Sequence, residues 1–200
     1  MSTSPQPLYY NSDQRHVRIV ELLNTRRLEF RSKPSNTTRG LYEMITKYVG
    51  PKFQIVELGS FAGVSSELFA LFCDKLYCVD RWEPYREIKE IDKLATAEQR
   101  FDSMHKNYNH IVKLKMDSLD AASQFAGGSI DMLYMDTDHS SEQVEREIDA
   151  WLPKIKDGGF IAGHDFNMPT VFNVVTQHFN PTSIEIFNDT SWITSVKNRL

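Results

Sequence analysis

The sequence predicts a single α/β domain in which helices cover both faces of a mostly parallel, seven-stranded sheet. Short apolar segments alternate with longer amphipathic ones from residue 53 onward, and this alternation is typical of βαβ units in a parallel sheet. The last two apolar segments, residues 183–187 and 192–196, are joined by a short Asn188-Asp189-Thr190-Ser191 connection, which favours a hairpin. We therefore expect a three-layer Rossmann-like fold that ends in an antiparallel strand.

Hydrophobic spacing and helix-ending residues predict each element. The strands are residues 53–58, 76–80, 111–116, 130–135, 160–162, 183–187 and 192–196. The helices are residues 13–30, 38–49, 65–73, 86–108, 119–125 and 170–179, with one more after residue 140. That helix is expected to begin at a capping box of Ser140 with Gln143 and to be closed by Pro153 and Asp157-Gly158-Gly159. Residues 1–11 form a predicted flexible tail, 12–50 predicted helices that cap the site, and 51–200 the main domain.

Composition indicates a small-molecule enzyme more than a binder of polyanions. The chain has 200 residues, 40% of them hydrophobic, and a formal net charge of −4, so it can bury one core and has no positive field for nucleic acid or an anionic membrane. It contains no apolar run long enough for a membrane span and no signal-peptide pattern, which predicts a cytoplasmic protein. Its two cysteines make no disulfide framework. The sequence leaves homo-oligomer formation open.

Residues that follow the first two strands form a candidate nucleoside site, because ligands of open α/β sheets bind at the carboxyl ends of the strands. The first strand ends in Glu57 and is followed by Gly59-Ser60-Phe61-Ala62-Gly63, whose glycines allow close backbone approach. A carboxylate under this loop favours a positively charged ligand. Asp80 ends the second strand and can accept both hydroxyls of a ribose. Arg81 and Trp82 follow it, and the indole can cover a base or pack against the next helix.

The segment from Ile130 to Phe166 resembles a subgroup of class I S-adenosylmethionine-dependent methyltransferases. It contains Asp136-Thr137-Asp138-His139, a helix that ends in a tryptophan, Gly158-Gly159 and His164-Asp165, as in macrocin-type sugar O-methyltransferases and cephalosporin hydroxylase-like proteins. The glycine loop is similar to the one in that family. The resemblance implies S-adenosylmethionine as cofactor, with Asp117 and Ser118 after the third strand at its adenine.

The same resemblance implies a chemical site after the fourth and fifth strands. Asp136 and Asp165 match ligands of a divalent cation, and Asp136 also borders the cofactor. His164 stands where metal-binding relatives often have an acid, which favours Mn²⁺, Fe²⁺ or Zn²⁺ over Mg²⁺. His139 matches a general base that takes the proton of a hydroxyl acceptor. The implied reaction is O-methylation of a hydroxylated small molecule, with Mg²⁺ or Mn²⁺ assistance.

Two other classes of function are compatible with a glycine loop and a ribose carboxylate. A nicotinamide-dependent dehydrogenase would have both, but residues 59–63 lack the Gly-x-Gly-x-x-Gly spacing that holds a pyrophosphate. A binding module without catalytic activity would keep the sheet and the nucleoside pocket and lose methyl transfer. The sequence favours the methyltransferase over both.

Overall fold

The computed structural model describes residues 12–24, 38–83 and 91–200. In these ranges the strands are β1 (Gln54–Leu58), β2 (Lys75–Asp80), β3 (Ile111–Lys115), β4 (Ile130–Met135), β5 (Ile155–Gly163), β6 (Glu185–Ile186) and β7 (Trp192–Ser195). The α-helices are α1 (Ser12–Asn24), α2 (Arg39–Tyr48), α3 (Val64–Ala70), α4 (Ile91–His105), α5 (Ser118–Ala122), α6 (Ser141–Trp151) and α7 (Pro169–His178). Apart from β5, each strand begins and ends within two residues of the predicted positions.

The strands form one sheet in the order β3-β2-β1-β4-β5-β7-β6. All neighbours from β3 to β5 are parallel, whereas β7 runs antiparallel to both β5 and β6. The predicted mostly parallel sheet with an antiparallel C-terminal strand is therefore confirmed. The order reverses at β1, since β2 lies on one side of it and β4 on the other. A ligand site is expected at the carboxyl ends of β1 and β4, where the strand order reverses.

Helices cover both faces of the sheet. Alternate side chains of a strand point to opposite faces, and in β1 Ile55 enters one core cluster and Val56 the other. The first cluster contains apolar side chains of α1 to α4, and the second contains those of α5 to α7. The two clusters lie on opposite faces of the sheet, which confirms the predicted three layers of helices, sheet and helices. Within the described ranges no helix is long and apolar enough to cross a membrane.

The predicted end of the helix before β5 is wrong. Residues 157–159 were expected to close α6, but they lie inside β5, which begins at Ile155. The pairing of β4 with β5 shifts register there, from Ile130↔Ile155 to Met132↔Phe160. Gly158 has a φ of +77°, and a Cβ on Gly159 would lie 2.7 Å from the Asp131 carbonyl oxygen. The Asp-Gly-Gly sequence thus lies in an irregular part of the strand, where the pairing shifts register, instead of ending the helix.

The predicted capping box at the start of α6 is also wrong. Ser140 is the N-cap, but its side chain makes no capping hydrogen bond. The Asp138 carboxylate instead accepts the Ser140 N–H at 2.8 Å, which makes Asp138 a structural residue of this turn. Gln143 donates to Glu147 and Ser118 and so does not reach back to the N-cap.

The N-terminal helices pack into the first core cluster. The predicted tail, residues 1–11, lies outside the described residues, as do residues 25–37 between α1 and α2. Ile19 and Leu22 of α1 are buried.

An ion pair also holds α1 in place. Arg18 of α1 donates from Nε and Nη2 to the two carboxylate oxygens of Glu67 in α3, at 2.8 and 2.6 Å. Tyr108 donates a third hydrogen bond to Glu67 at 2.8 Å. This ion pair ties α1 to the helix that follows the glycine loop, whereas the expected capping of the site by residues 12–50 stays a prediction.

Replacing Arg18 should therefore destabilise the fold. Arg18→Met leaves the Glu67 carboxylate buried with Tyr108 and without a counter-charge, and we expect a loss of about 2 kcal/mol in the free energy of unfolding. Urea denaturation measures this loss. Lys197→Met is the matched control, because Lys197 lies 3.8 Å from an Asp157 carboxylate that is 90% exposed and such pairs contribute little. Equal midpoints for the two variants would contradict a structural role for the Arg18–Glu67 pair.

Candidate active site

The loops after the central strands are joined side by side at one edge of the sheet. Backbone hydrogen bonds connect the strand ends: Gly59 N–H to the Val79 carbonyl at 2.8 Å, Asp136 N–H to Leu58 at 2.9 Å, and His164 N–H to Met135 at 3.0 Å. Parallel strands bring their carboxyl ends to the same edge. The predicted cofactor loop and the predicted chemical loops are consequently neighbours in space.

The glycine loop has the tight backbone that its sequence predicts. Gly59 and Gly63 have φ values of +86° and +82°, and Phe61 between them has +45°. A Cβ on Gly59 would lie 1.9 Å from the Asp136 carbonyl oxygen, and one on Gly63 would lie 2.6 Å from Cε of Met104. Both glycines were expected to allow close approach of a ligand. The structure shows that they also permit close approach of neighbouring protein, above all of the loop after β4.

Glu57 lies under this loop, fully buried. Its Oε2 accepts the Ser60 hydroxyl at 2.7 Å and also the Ser66 hydroxyl, so the carboxylate connects the start of the loop to α3. The pKa of Glu57 is raised above its usual value, because burial disfavours the charged carboxylate and the serine hydroxyls offset this only in part. Its expected contact with a positively charged cofactor stays a prediction.

Asp80 fastens the glycine loop to the loop after β2. Its carboxylate oxygens accept the N–H of Phe61 at 2.8 Å and the N–H of Trp82 at 2.7 Å. Burial raises the pKa of Asp80, and these backbone donors oppose the shift. Each carboxylate oxygen has a second lone pair, so the expected acceptance of ribose hydroxyls is compatible with these bonds.

The remaining predicted cofactor residues differ in exposure. Trp82 is only 4% exposed: its Nε1 donates to the Phe61 carbonyl, its ring lies 4.8 Å from that of Phe101, and Lys113 Nζ lies 4.6 Å from its centroid. The packing role that the sequence left open for Trp82 is thus present. Arg81 Nη1 lies 3.7 Å from a carboxylate oxygen of Asp117. These two side chains connect the loops after β2 and β3.

Asp117 and Ser118 form the start of α5. The Asp117 carboxylate caps the helix by accepting the Leu119 N–H at 2.9 Å. The Ser118 hydroxyl turns inward and donates to Glu147 of α6 at 2.5 Å. Glu147 was not selected from the sequence, although it lies within the apolar stripe formed by Val144, Ile148 and Trp151. A carboxylate in such a stripe was the signal that could have identified it.

Three side chains from the loops after β4 and β5 form a cluster of the size that could hold a metal ion. Asp136, His139 and Asp165 each offer one ligand atom within 4.8 Å of the others. Nε2 of His139 lies 3.6 Å from Asp136 Oδ1 and 2.8 Å from Asp165 Oδ2. The carboxylates of Asp136 and Asp165 raise the pKa of His139 to about 9. Burial raises the pKa of Asp165, but the two neighbouring histidines outweigh burial and hold it well below its usual range.

His164 lies outside this cluster, although the sequence placed it among the metal ligands. It is 6% exposed, and its Nδ1 lies 3.2 Å from Asp165 Oδ1. Asp165 has a φ of +56°, a conformation that turns the chain sharply between the two side chains. The imidazoles of His139 and His164 both line a small cavity that Val144, Val171 and Trp192 also border. In the described ranges, the histidine whose ring nitrogen lies within 4.8 Å of both aspartates is His139 and not His164.

A switch-point sheet with a glycine loop and strand-end carboxylates is typical of α/β enzymes that bind nucleosides. Residues 56–166 match a family model described as a methyltransferase domain. Because the match covers more than half of the chain, the protein belongs to this family and is an S-adenosylmethionine-dependent methyltransferase. The predicted class is confirmed, and the dehydrogenase alternative has no support. No curated protein matches the sequence at a significant level.

Solved structures show the same fold at low sequence identity. N-methyltransferase NodS from Bradyrhizobium japonicum WM9, in complex with S-adenosyl-L-homocysteine, is 17% identical over 90% of this chain and 95% of its own, with a TM-score of 0.54. Cofactor-bound Rv0187 from MTB is 12% identical over 98% and 100%, with a TM-score of 0.55. An rRNA methylase from Streptococcus thermophilus is 12% identical over 82% and 96%, with a TM-score of 0.53. At these identities the structural similarities support the Rossmann-like methyltransferase fold of the chain and nothing beyond it.

The contact between Gly59 and the Asp136 loop predicts a strong effect of a single methyl group. We expect Gly59→Ala to lower the free energy of unfolding by more than about 3 kcal/mol, because the methyl group meets a backbone oxygen in addition to the cost of a positive φ. Thermal unfolding measures the loss. Gly128→Ala is the control: its φ is +61° and no atom lies within 4 Å of the point that a Cβ would occupy, so only about 1–2 kcal/mol is expected. Similar losses at both positions would show that the steric contact is unimportant.

Proposed function

We propose that the protein transfers a methyl group to a hydroxyl oxygen of a small molecule, assisted by a divalent cation. The observation that supports this proposal is the cluster of Asp136, His139 and Asp165 beside the glycine loop. The subgroup resemblance of residues 130–166 points to the same reaction. Methyl transfer to oxygen requires that a weakly acidic hydroxyl lose its proton close to the methyl donor.

The cofactor is assigned to the switch point between β1 and β4. In this proposal Gly59-Ser60-Phe61-Ala62-Gly63 surrounds the methionine part, with Glu57 beneath it. Asp80 accepts the ribose hydroxyls, with Arg81 and Trp82 next to it. The adenine lies at Asp117 and Ser118, and Asp136 borders the sulfonium. The hydrogen bonds of Asp80 to the N–H groups of Phe61 and Trp82 hold its carboxylate in place before the cofactor arrives.

The cluster fits a divalent cation by its donor set. Asp136 and Asp165 provide hard carboxylate oxygens, which suit Mg²⁺ and Mn²⁺. His139 is not counted as a ligand here, because its acceptor nitrogen has to stay free to take a proton. The two carboxylates are 13% and 18% exposed, so a positive charge between them is strongly favoured. When bound, the cation would lower the pKa of the acceptor hydroxyl and orient it.

His139 is the proposed general base. In the metal-free protein its pKa of about 9 means that it carries a proton at neutral pH, and a protonated imidazole cannot accept another. Two things can supply the positive charge that stabilises the two aspartates: the proton on His139 or a bound cation. When the cation supplies it, His139 can lose its proton and become neutral. His139 is thus expected to act as a base only in the cation-loaded enzyme.

The acceptor is proposed to have an apolar part beside its hydroxyl. Met168 and Phe172, at the start of α7, are 36% and 45% exposed, and Met168 follows Asp165 by three residues. Exposed apolar side chains next to a reactive cluster are a common feature of small-molecule sites. The net charge of −4 disfavours a nucleic acid acceptor.

Ligand-dependent thermal unfolding tests the cofactor assignment. S-adenosylmethionine and S-adenosylhomocysteine should raise the melting temperature, because a ligand that binds the folded state stabilises it, whereas NAD⁺ at the same concentration should not. Asp80→Ala should abolish most of the shift. A shift with NAD⁺ alone would contradict the assignment.

Substitutions in the cluster test the chemistry. Asp136→Asn and Asp165→Asn should lose Mn²⁺ binding and lower methyl transfer by about 100-fold or more, and His139→Ala should lower it similarly while retaining the cofactor. Labelled S-adenosylmethionine with a panel of hydroxylated acceptors measures the rate, and isothermal titration measures Mn²⁺.

Asp138→Asn is the matched control for these variants. Asp138 belongs to the same loop, but its carboxylate caps the turn at Ser140, and asparagine caps equally well. We expect this variant to keep full activity. Full methyl transfer by Asp165→Asn and His139→Ala would show that the proposed mechanism is wrong.

A further inference from the structure

Glu147 is a buried carboxylate that accepts hydrogen bonds from two loops of the proposed site and from its own helix. It has no exposed surface. Its Oε1 accepts the Ser118 hydroxyl at 2.5 Å and the Gln143 amide at 2.9 Å, and its Oε2 accepts the Thr137 hydroxyl at 2.7 Å. Removing a carboxylate from water is costly unless donors replace the water. Three donors from three separate segments meet that requirement.

Two of the three partners of Glu147 belong to two different loops of the proposed cofactor site, and the third, Gln143, lies in α6 itself. Ser118 follows β3, on the proposed adenine side, and Thr137 directly follows Asp136 after β4. In the sheet β3 and β4 are separated by β2 and β1, so at a strand spacing of about 4.8 Å their ends lie roughly 14 Å apart. No ladder hydrogen bond can join them. Glu147 connects the two loops through a single side chain.

A second contact from the same helix strengthens this connection. Nε1 of the buried Trp151, one turn after Glu147, donates to the Ser118 carbonyl at 3.0 Å. Ser118 is therefore held by α6 through both its hydroxyl and its carbonyl. Thr137 is held through its hydroxyl, and α6 itself begins at Ser141, only four residues later. The helix and Glu147 thus fix the loop after β3 relative to the loop that carries Asp136.

We infer that Glu147 is a positioning residue that couples the cofactor loop after β3 to the Asp136 loop after β4. Loss of its hydrogen bonds frees the hydroxyls of Ser118 and Thr137 together, so the adenine and the sulfonium of the cofactor both lose preorganised partners. The inference concerns cofactor binding by the methyltransferase. It rests on the proposed placement of the cofactor, and on the proposed cation only where it extends to the geometry of Asp136.

Other buried or partly buried carboxylates with internal partners provide the comparison. Glu67 is also buried, but its partners Arg18 and Tyr108 tie packing segments together. Asp131, at the start of β4, accepts the Gln54 N–H at 2.8 Å and pairs with Lys156. It lies at the opposite edge of the sheet from the site. Asp131→Asn is therefore a matched control for destabilisation without an effect on the site.

The experiment measures the Kd for S-adenosylhomocysteine by isothermal titration, together with the melting temperature. Glu147→Leu keeps the size of the side chain and removes its acceptors, and we expect the Kd to rise about tenfold. Glu147→Gln can keep all three contacts, because its amide oxygen accepts from Ser118 and Gln143 while its NH₂ group donates to Thr137. It should bind within about threefold of the wild type. Asp131→Asn should lower the melting temperature with an unchanged Kd.

A double-mutant cycle of Ser118→Ala with Thr137→Val gives an independent measurement if Glu147→Leu does not fold. Both hydroxyls hold the same carboxylate, so their effects on the Kd should be non-additive. Additive effects, or a Glu147→Leu variant with an unchanged Kd and a melting temperature lowered like that of Asp131→Asn, would overturn the inference. Neither measurement needs a metal ion, so a wild-type protein that fails to bind Mn²⁺ contradicts the proposed function while these results still decide the role of Glu147.

Discussion

Buried carboxylates near the carboxyl ends of the parallel strands determine how this site is built. Glu57, Asp80 and Glu147 are buried or nearly so, and each is surrounded by donors that belong to a different segment of the chain. The desolvation cost of a carboxylate is offset only when its donors are held in place. Each acid therefore ties two or more segments together. Glu57 and Asp80 are also expected to bind the cofactor, whereas Glu147 only holds the loops that surround it.

The order of the elements could be predicted from the sequence because hydrophobic periodicity reports burial directly. β1 to β4 are nearly continuous apolar runs between helix patterns, and their bounds agree with the prediction to within two residues. The irregular part of β5 could not be predicted in this way, because Asp157-Gly158-Gly159 has the composition of a turn. The residues on either side of it pair with neighbouring strands, Ile155 with Ile130 of β4 and Phe160 with Met132 of β4 and Ser195 of β7, which are tertiary interactions.

The candidate site was predicted in part. Strand-end residues were correctly expected at one edge, since topology alone places them there. Contacts within the edge depend on backbone geometry that a sequence does not encode locally. The positive φ of Asp165 is one such feature, and it helps explain why His139 rather than His164 joins the aspartates. Glu147 was missed because its partners, Ser118 and Thr137, are distant in sequence from each other and meet only through the packing of α6.

The pair formed by Asp136 and Asp165 also links the protonation of His139 to what else occupies the cluster. Two partly buried carboxylates this close to one imidazole hold a proton on it, which explains a pKa of about 9. A divalent cation and that proton compete for the same negative charge, so each weakens the binding of the other. Cation binding at neutral pH would consequently release a proton from His139. The same event that prepares the acceptor hydroxyl would then also produce the neutral imidazole that is needed to deprotonate it.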